Sequence, residues 1–175
     1  MAKFKIDPDH SVAGFQVRHM MISNVLGQFN HITGTVIFYP DRVAESSVEV
    51  EIATSGIWTG IAKRDEHLRS ADFLDVEKYP VMSFRSIRVE PAGSRRFRVF
   101  GELTLKGVTK TISFDAEYSG PVKDPFEPGT SYGFSASTKI NREDFGIMWN
   151  VNMEGGFLVG KNLTISLEIE ADLAE

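Results

Sequence analysis

A chain of 175 residues is long enough for one domain with a substantial core, and its 42% hydrophobic and 25% charged residues are ordinary globular values. Its 19 basic and 24 acidic residues give a net charge of −5, which argues against a groove for a nucleic-acid backbone. With no cysteine, disulfides, thiolate metal sites and cysteine nucleophiles are excluded.

The opening Met1-Ala-Lys-Phe-Lys-Ile-Asp-Pro8 runs straight into strand-like sequence, with no apolar h-region and no small-residue cleavage site. That predicts a cytoplasmic location for the chain as it stands, and a periplasmic one if a leader has been removed. No run reaches the roughly 18 apolar residues of a membrane-spanning helix.

Period-two alternation then recurs along nearly the whole chain. It begins with Ala13, Phe15 and Val17, continues with Ile32, Gly34, Val36 and Phe38, and then sets Val48, Val50 and Ile52 against Glu49 and Glu51. Residues 55–80 break the pattern with a helical look. Thr59 is the predicted cap of a helix over 62–69, and Asp72 the cap of a second short turn over 73–76. The strand around Val81–Val89 is less regular and predicts a bulge.

Alternation returns in Phe97, Val99, Gly101, Leu103 and Leu105, then in Ile112, Phe114, Ala116 and Tyr118. Tyr132, Phe134, Ala136 and Ile140 follow, and the chain ends on Leu163, Ile165, Leu167 and Ile169 against Thr164, Ser166, Glu168 and Glu170. Residues 141–160 form the second break, with Phe145, Met148, Trp149, Met153 and Phe157 among several glycines. Loops this long in a compact β domain usually carry function, so both breaks are placed across the barrel ends as lids or plugs.

Each strand therefore has one apolar and one wet face, and about eight such strands fit either a two-sheet sandwich or a closed barrel. Short turns at 40–42, 91–94, 106–108 and 121–129 favour a meander, and a meander that closes removes both of its exposed edges. The expected fold is all-β, a single-domain antiparallel eight-stranded barrel over 1–175 with a short helical insertion.

Motifs for chemistry are sparse. The four histidines, His10, His19, His31 and His67, lack metal-binding spacing, and hydrogen bonding is their default role. Gly155 to Asn162 nearly matches a phosphate-binding loop. Asn162 stands where the magnesium-binding hydroxyl should be, and a strand follows instead of a helix, so a glycine-rich turn is the better reading. Nothing assembles a nucleophile with a base, and the chain is read as a non-enzyme. The one charged cluster of interest holds Arg64, Asp65, His67, Arg69 and Asp72. It serves either to tie the helical lid to the rim or, through Arg64, His67 and Asp72, to meet a ligand's polar head.

The run Asp7-Pro-Asp-His10-Ser11, then Phe15-Gln-Val-Arg-His19, resembles the opening of the YceI-like family, the polyisoprenoid-binding proteins of bacteria. Similar to that family are also Gly27-Gln-Phe29, Ile32-Thr-Gly34, Lys63-Arg-Asp-Glu-His-Leu-Arg-Ser70, Asp72-Phe-Leu-Asp75 and Lys78-Tyr-Pro80. Leu103-Thr-Leu-Lys-Gly-Val-Thr109 and Asn141-Arg-Glu-Asp-Phe-Gly146 complete the set. Thr54-Ser-Gly-Ile-Trp-Thr59 departs from the family pattern.

The resemblance implies a lipocalin-like barrel whose pore holds a long isoprenoid, such as an isoprenoid quinone or polyprenyl pyrophosphate, for transport, storage or metabolism. It also implies a homodimer as an available state, and no cofactor apart from the lipid. Ala13, Gly34, Gly101 and Ala136 are the small interior positions expected to open the channel. Its lining is expected to be Phe15, Val17, Phe29, Val50, Ile52, Phe84, Leu103, Phe114, Phe134, Ile140 and Leu167. Met20, Met21, Met82 and Met148 are the candidates to adapt to a flexible chain. The alternative at this stage is a packed barrel that acts as a protein-interaction or stress-response module.

Overall fold

In the computed structural model, residues 2–126 and 128–174 are described. The barrel wall is built from β1 (Lys3–Ile6), β4 (Ile32–Ile37), β5 (Ser47–Ala53), β7 (Val81–Gly93), β8 (Arg96–Leu105), β9 (Val108–Lys123), β10 (Thr130–Asn141) and β13 (Val159–Leu173). Each pairs antiparallel with the next, and β13 returns to β1, so eight strands close on themselves. Among the described residues no helix is long and apolar enough to cross a membrane.

Closure depends on the length of β13. Its far end, Ala171 to Leu173, pairs with β1, while Val159 to Glu168 pair with β2 (Val12–His19). From β2 the sheet continues to β3 (Ser23–Phe29) and to the two-residue β6 (Ile57–Trp58), which extends the wall on one side. The first strand thus lies between β4 and β13, and only the rest of the wall follows chain order. The expected bulge in β7 falls between Ser86 and Arg88. The expected turn from Pro121 starts later, because β9 continues through Pro121 to Lys123; a bulge between Ser131 and Gly133 restores its pairing with β10.

Residues 55–80 hold α1 (Ala62–Arg69), and residues 141–160 hold a 3-10 turn (Arg142–Phe145) and a small hairpin, β11 (Asn152–Met153) with β12 (Gly156–Phe157). The glycine-rich stretch from Gly155 accordingly forms part of a hairpin and not an anion loop. Both insertions lie at the same end of the barrel, where the His67 ring stands 4.7 Å and the Phe73 ring 5.3 Å from Trp149. The two breaks, expected across the barrel ends as lids or plugs, lie together at one end. Both loops leave strands at the end where β10 finishes and β13 begins, so both cover one mouth.

The other end is closed by aromatic rings. Phe38, just beyond β4, is fully buried, with ring centroids 4.9 Å from Tyr118 and 5.0 Å from both Tyr132 and Phe134. Phe97 and Phe4 complete the floor. Edge-to-face stacking of this kind adds to burial and leaves little room for water.

Candidate functional site

Between the aromatic floor and the two loops lies a cavity of about 420 Å³. Its wall consists of inward positions on the strands from β1 to β10 and on β13, and most of the lining is aliphatic or aromatic. All eleven residues expected to line a channel face it: Phe15, Val17, Phe29, Val50, Ile52, Phe84, Leu103, Phe114, Phe134, Ile140 and Leu167. Strand alternation alone puts them there, since closure turns every second side chain toward the axis.

The small positions divide. Ala13 and Ala136 line the cavity, and Ala136 pairs across the sheet with Ala116, another lining residue. Gly34 and Gly101 do not open it. A Cβ on Gly34 would collide with the Glu49 carbonyl, and the space over Gly101 is filled by the Phe84 ring. Gly27 seats the Phe15 ring in the same way. These glycines let two phenylalanines lie flat against the wall, which shapes the channel without widening it. Among the four methionines only Met82 faces the cavity, whereas Met20, Met21 and Met148 are exposed.

At the mouth the chemistry changes. Arg18, His19, Arg64, His67 and Arg142 reach the lining, and no Asp or Glu does so among the described residues. Arg142 is 2% exposed. Its Nε donates to Gly160 O at 2.8 Å, and its Nη1 donates to the carbonyls of Ile147 and Trp149, both at 2.9 Å. A longer bond of 3.4 Å runs from Nη2 to Val159 O. Burial lowers the guanidinium pKa from its usual value, and the nearby charge of Glu143 opposes that shift. Glu143 itself pairs with Lys161 at 3.4 Å.

Sequence reasoning left Arg142 without a role, although a signal was present. Ile140 points inward, so period two carries position 142 inward as well. The turn is set by its neighbours: the Asn141 side chain accepts from Glu143 N–H at 2.9 Å, Phe145 is buried, and Gly146 ends the turn at φ 73°.

The helical lid is held by related means. The Arg69 guanidinium donates to the carbonyls of Ser55 and Ile57 at 2.8 and 2.9 Å, and Arg64 donates to the Thr59 hydroxyl and carbonyl at 2.7 and 2.9 Å. The expected cap is corrected. Ile61 occupies the cap position without a side-chain bond, and the Thr59 amide and hydroxyl donate to the buried Asp65 carboxylate instead. Thr59 lies too far ahead of the first turn, so Asp65 folds back to it.

Asp72 is likewise no cap. It is exposed and bonds to His67 Nε2 at 2.8 Å, while the Ser70 hydroxyl accepts from the Asp72 amide at 3.4 Å. Of the three expected head-group residues, Arg64 and His67 therefore face the cavity, and Asp72 supports His67 from outside. Among the described residues, one group offers three metal-ligating side chains within reach: Asp7, His10 and Glu170, away from the mouth.

Comparison with known proteins agrees with this architecture. A UPF0312 protein of Pseudomonas putida strain W619 is 38% identical over 148 residues, 83% of this chain and 77% of its own length. A UPF0312 protein of Vibrio cholerae is 39% identical over 138 residues, covering 79% and 72%. The YceI protein of Campylobacter jejuni superposes with a TM-score of 0.77 at 30% identity, over 90% of each chain. At 12% identity, a polyisoprenoid-binding domain from Saccharophagus degradans shares the fold, with a TM-score of 0.74 over 99% of this chain and 100% of its own. The YceI-like domain model matches residues 4–171, and with the closed barrel and its loop-covered mouth the chain belongs to the YceI-like family.

Proposed function

We propose that the barrel binds one long-chain amphiphile of the polyisoprenoid type and acts as a carrier or store for it. The observation that carries this reading is the apolar cavity that runs from the aromatic floor to a cationic mouth. The tail lies among Phe84, Phe114, Phe134 and Leu167, and the head, a quinone ring or a pyrophosphate, meets Arg64, His67 and Arg142. The name of the Saccharophagus degradans domain supports the ligand class, and its likeness to this chain is one of fold.

The energetics need no special polar contact. Each buried methylene contributes about 0.8 kcal/mol, so a few isoprene units give a gross transfer energy of more than about 10 kcal/mol. Ordering of the chain and loss of free motion remove part of that gain. Catalysis receives little support: the described cavity lining presents no carboxylate, and no acid or hydroxyl is hydrogen-bonded to His19 there.

Native mass spectrometry of freshly purified protein, followed by chloroform–methanol extraction, tests the reading. The expected result is a stoichiometric adduct that extraction releases as a polyprenyl or quinone species. Ala136→Phe, which fills the narrow space opposite Ala116, should abolish the adduct while the protein stays folded. A clean apo mass, with no uptake of added isoprenoids, would overturn the carrier reading in favour of a barrel that works through its surface.

A further inference from the structure

The mouth is ringed by apolar side chains that face outward. The turn between β2 and β3 is Met20-Met21-Ile22, closed by Ile22 N–H donating to His19 O at 3.2 Å, and Ile22 is 77% exposed. Met20 and Met21 both have positive φ, 51° and 60°, at positions where asparagine and glycine are the comfortable residues. Two long apolar side chains at such a tip stay 42% and 58% exposed and do not ease the backbone.

The β11–β12 hairpin stands beside this tip. Met21 Sδ fills the space that a Cβ on Gly156 would need, and the next residue, Phe157, is exposed. Leu26 and Trp58, 66% and 56% exposed, share the outer face of β3 and β6, where Trp58 pairs with Gln28. The floor end is different. Of the exposed large apolar side chains described, Val122, Phe126 and Leu173 belong there and Ile87 to the wall, while the rest surround the mouth.

We propose that this rim docks on a lipid bilayer. The Met20–Ile22 tip, Phe157 and Trp58 enter the interface, so that cargo passes between the acyl layer and the barrel without crossing water. The inference rests on the carrier reading, and three observations favour a bilayer as the occupant. The rim is continuous with the mouth of an apolar cavity, and Met20–Ile22 and Phe157 stand on a projecting turn and hairpin beside the outer face that carries Leu26 and Trp58. Arg18, exposed two residues before the tip, and Arg64 at the mouth lie where lipid phosphates would be. A net charge of −5 gives no general attraction to anionic membranes, so apolar insertion with these local arginines must carry the binding.

Flotation of the full chain with vesicles of equimolar phosphatidylcholine and phosphatidylglycerol tests the proposal. The protein should float with the vesicles, and Trp58 fluorescence should shift to the blue, a shift that Trp58→Phe removes. The double variant Met21→Ser with Ile22→Asp should lower partitioning by about tenfold or more. Its melting curve and its uptake of isoprenoid from detergent micelles should not change.

Absence of flotation, or equal flotation of the double variant, would overturn the docking surface. So would a dimer that the double variant dissociates when neither protein floats, since the rim would then cover a second copy. Uptake from micelles without vesicle binding removes the docking surface and leaves the carrier reading in place. Vesicle binding that the double variant loses, with no uptake from micelles, keeps the docking surface and removes the carrier reading.

Discussion

At one end of the barrel Phe38 is fully buried among the rings of Tyr118, Tyr132 and Phe134; at the other, Arg142 is equally buried among backbone carbonyls. The floor is made by strands in register, whose backbone groups already pair within the ladder, so the remaining space asks only for apolar volume. The mouth is made by loops, whose carbonyls have no ladder and need donors. One guanidinium supplies several donors in a fixed fork, so a single arginine orders much of the 142–160 loop. A loop held together by polar groups on its inner side buries only part of its apolar set, Phe145 and Ile147. Met148, Val151 and Phe157 accordingly remain exposed, while Phe38 and its neighbours are consumed by the core.

The strongest way to break this comparison is Phe38→Ala. Removal of a fully buried ring with several aromatic partners should destabilise the protein by about 3–5 kcal/mol, read as a lower urea midpoint with an unchanged slope. Because Phe38 also lines the cavity, the variant should accept a longer tail. A loss below about 1 kcal/mol would mean that the floor collapses readily and does not set the depth of the channel.

At the mouth, Arg142→Gln should cost less overall, about 2 kcal/mol, because the loop can open to water while the barrel stays closed. The distinguishing measurement is hydrogen exchange. Amides in 147–160 should exchange much faster than in the parent protein, with those of β8 and β9 unaffected. Uniform acceleration across the barrel would show that Arg142 supports the whole fold instead of the loop.

Much of this architecture is legible in the sequence because closure adds nothing to a pattern that strands already carry. Period two from Phe97 to Leu105, or from Leu163 to Ile169, assigns every inward side chain once the sheet closes. Two kinds of information are missing from it. Which end a loop covers depends on strand direction and order, and the placement of β1 beside β4 is settled by the reach of β13, a long-range pairing with no local mark. Glycines are ambiguous for a different reason. Gly101 looks like open space in an alternating strand, but its neighbour across the sheet is two residues from Phe84, whose ring lies down over it. The cap expected at Thr59 failed because the helix begins only at Ala62, with Ile61 at the cap position, so the Thr59 hydroxyl is left to donate to Asp65.

The smallest expected effect concerns the link between β1 and β2, where Asp7 and His10 pair at 2.7 Å and the Asp7 amide donates to Glu170 O at 2.9 Å. Burial pushes the Asp7 carboxyl up, but hydrogen bonds from His10 and the Asp9 amide outweigh it and hold the pKa below its usual value. The hydrogen bond to Asp7, with the charges of Asp7 and Glu170, raises the pKa of His10. A raised histidine contributes stability that is complete below its unfolded pKa and is lost as pH climbs through the folded value. A lowered aspartate contributes stability that is complete above its unfolded pKa and is lost as pH falls through the folded value. The two overlap between about pH 4 and 6.5, so the pair should act most strongly there. Both side chains reach solvent, which keeps the effect small and sensitive to salt. Asp7→Asn should therefore lower the melting temperature slightly near pH 5.5 and by less near pH 9, where the His10 charge is gone, as scanning calorimetry at both values would read. An equal loss at the two pH values would assign the role of Asp7 to its bond with the Asp9 amide, a geometric support of the turn independent of charge.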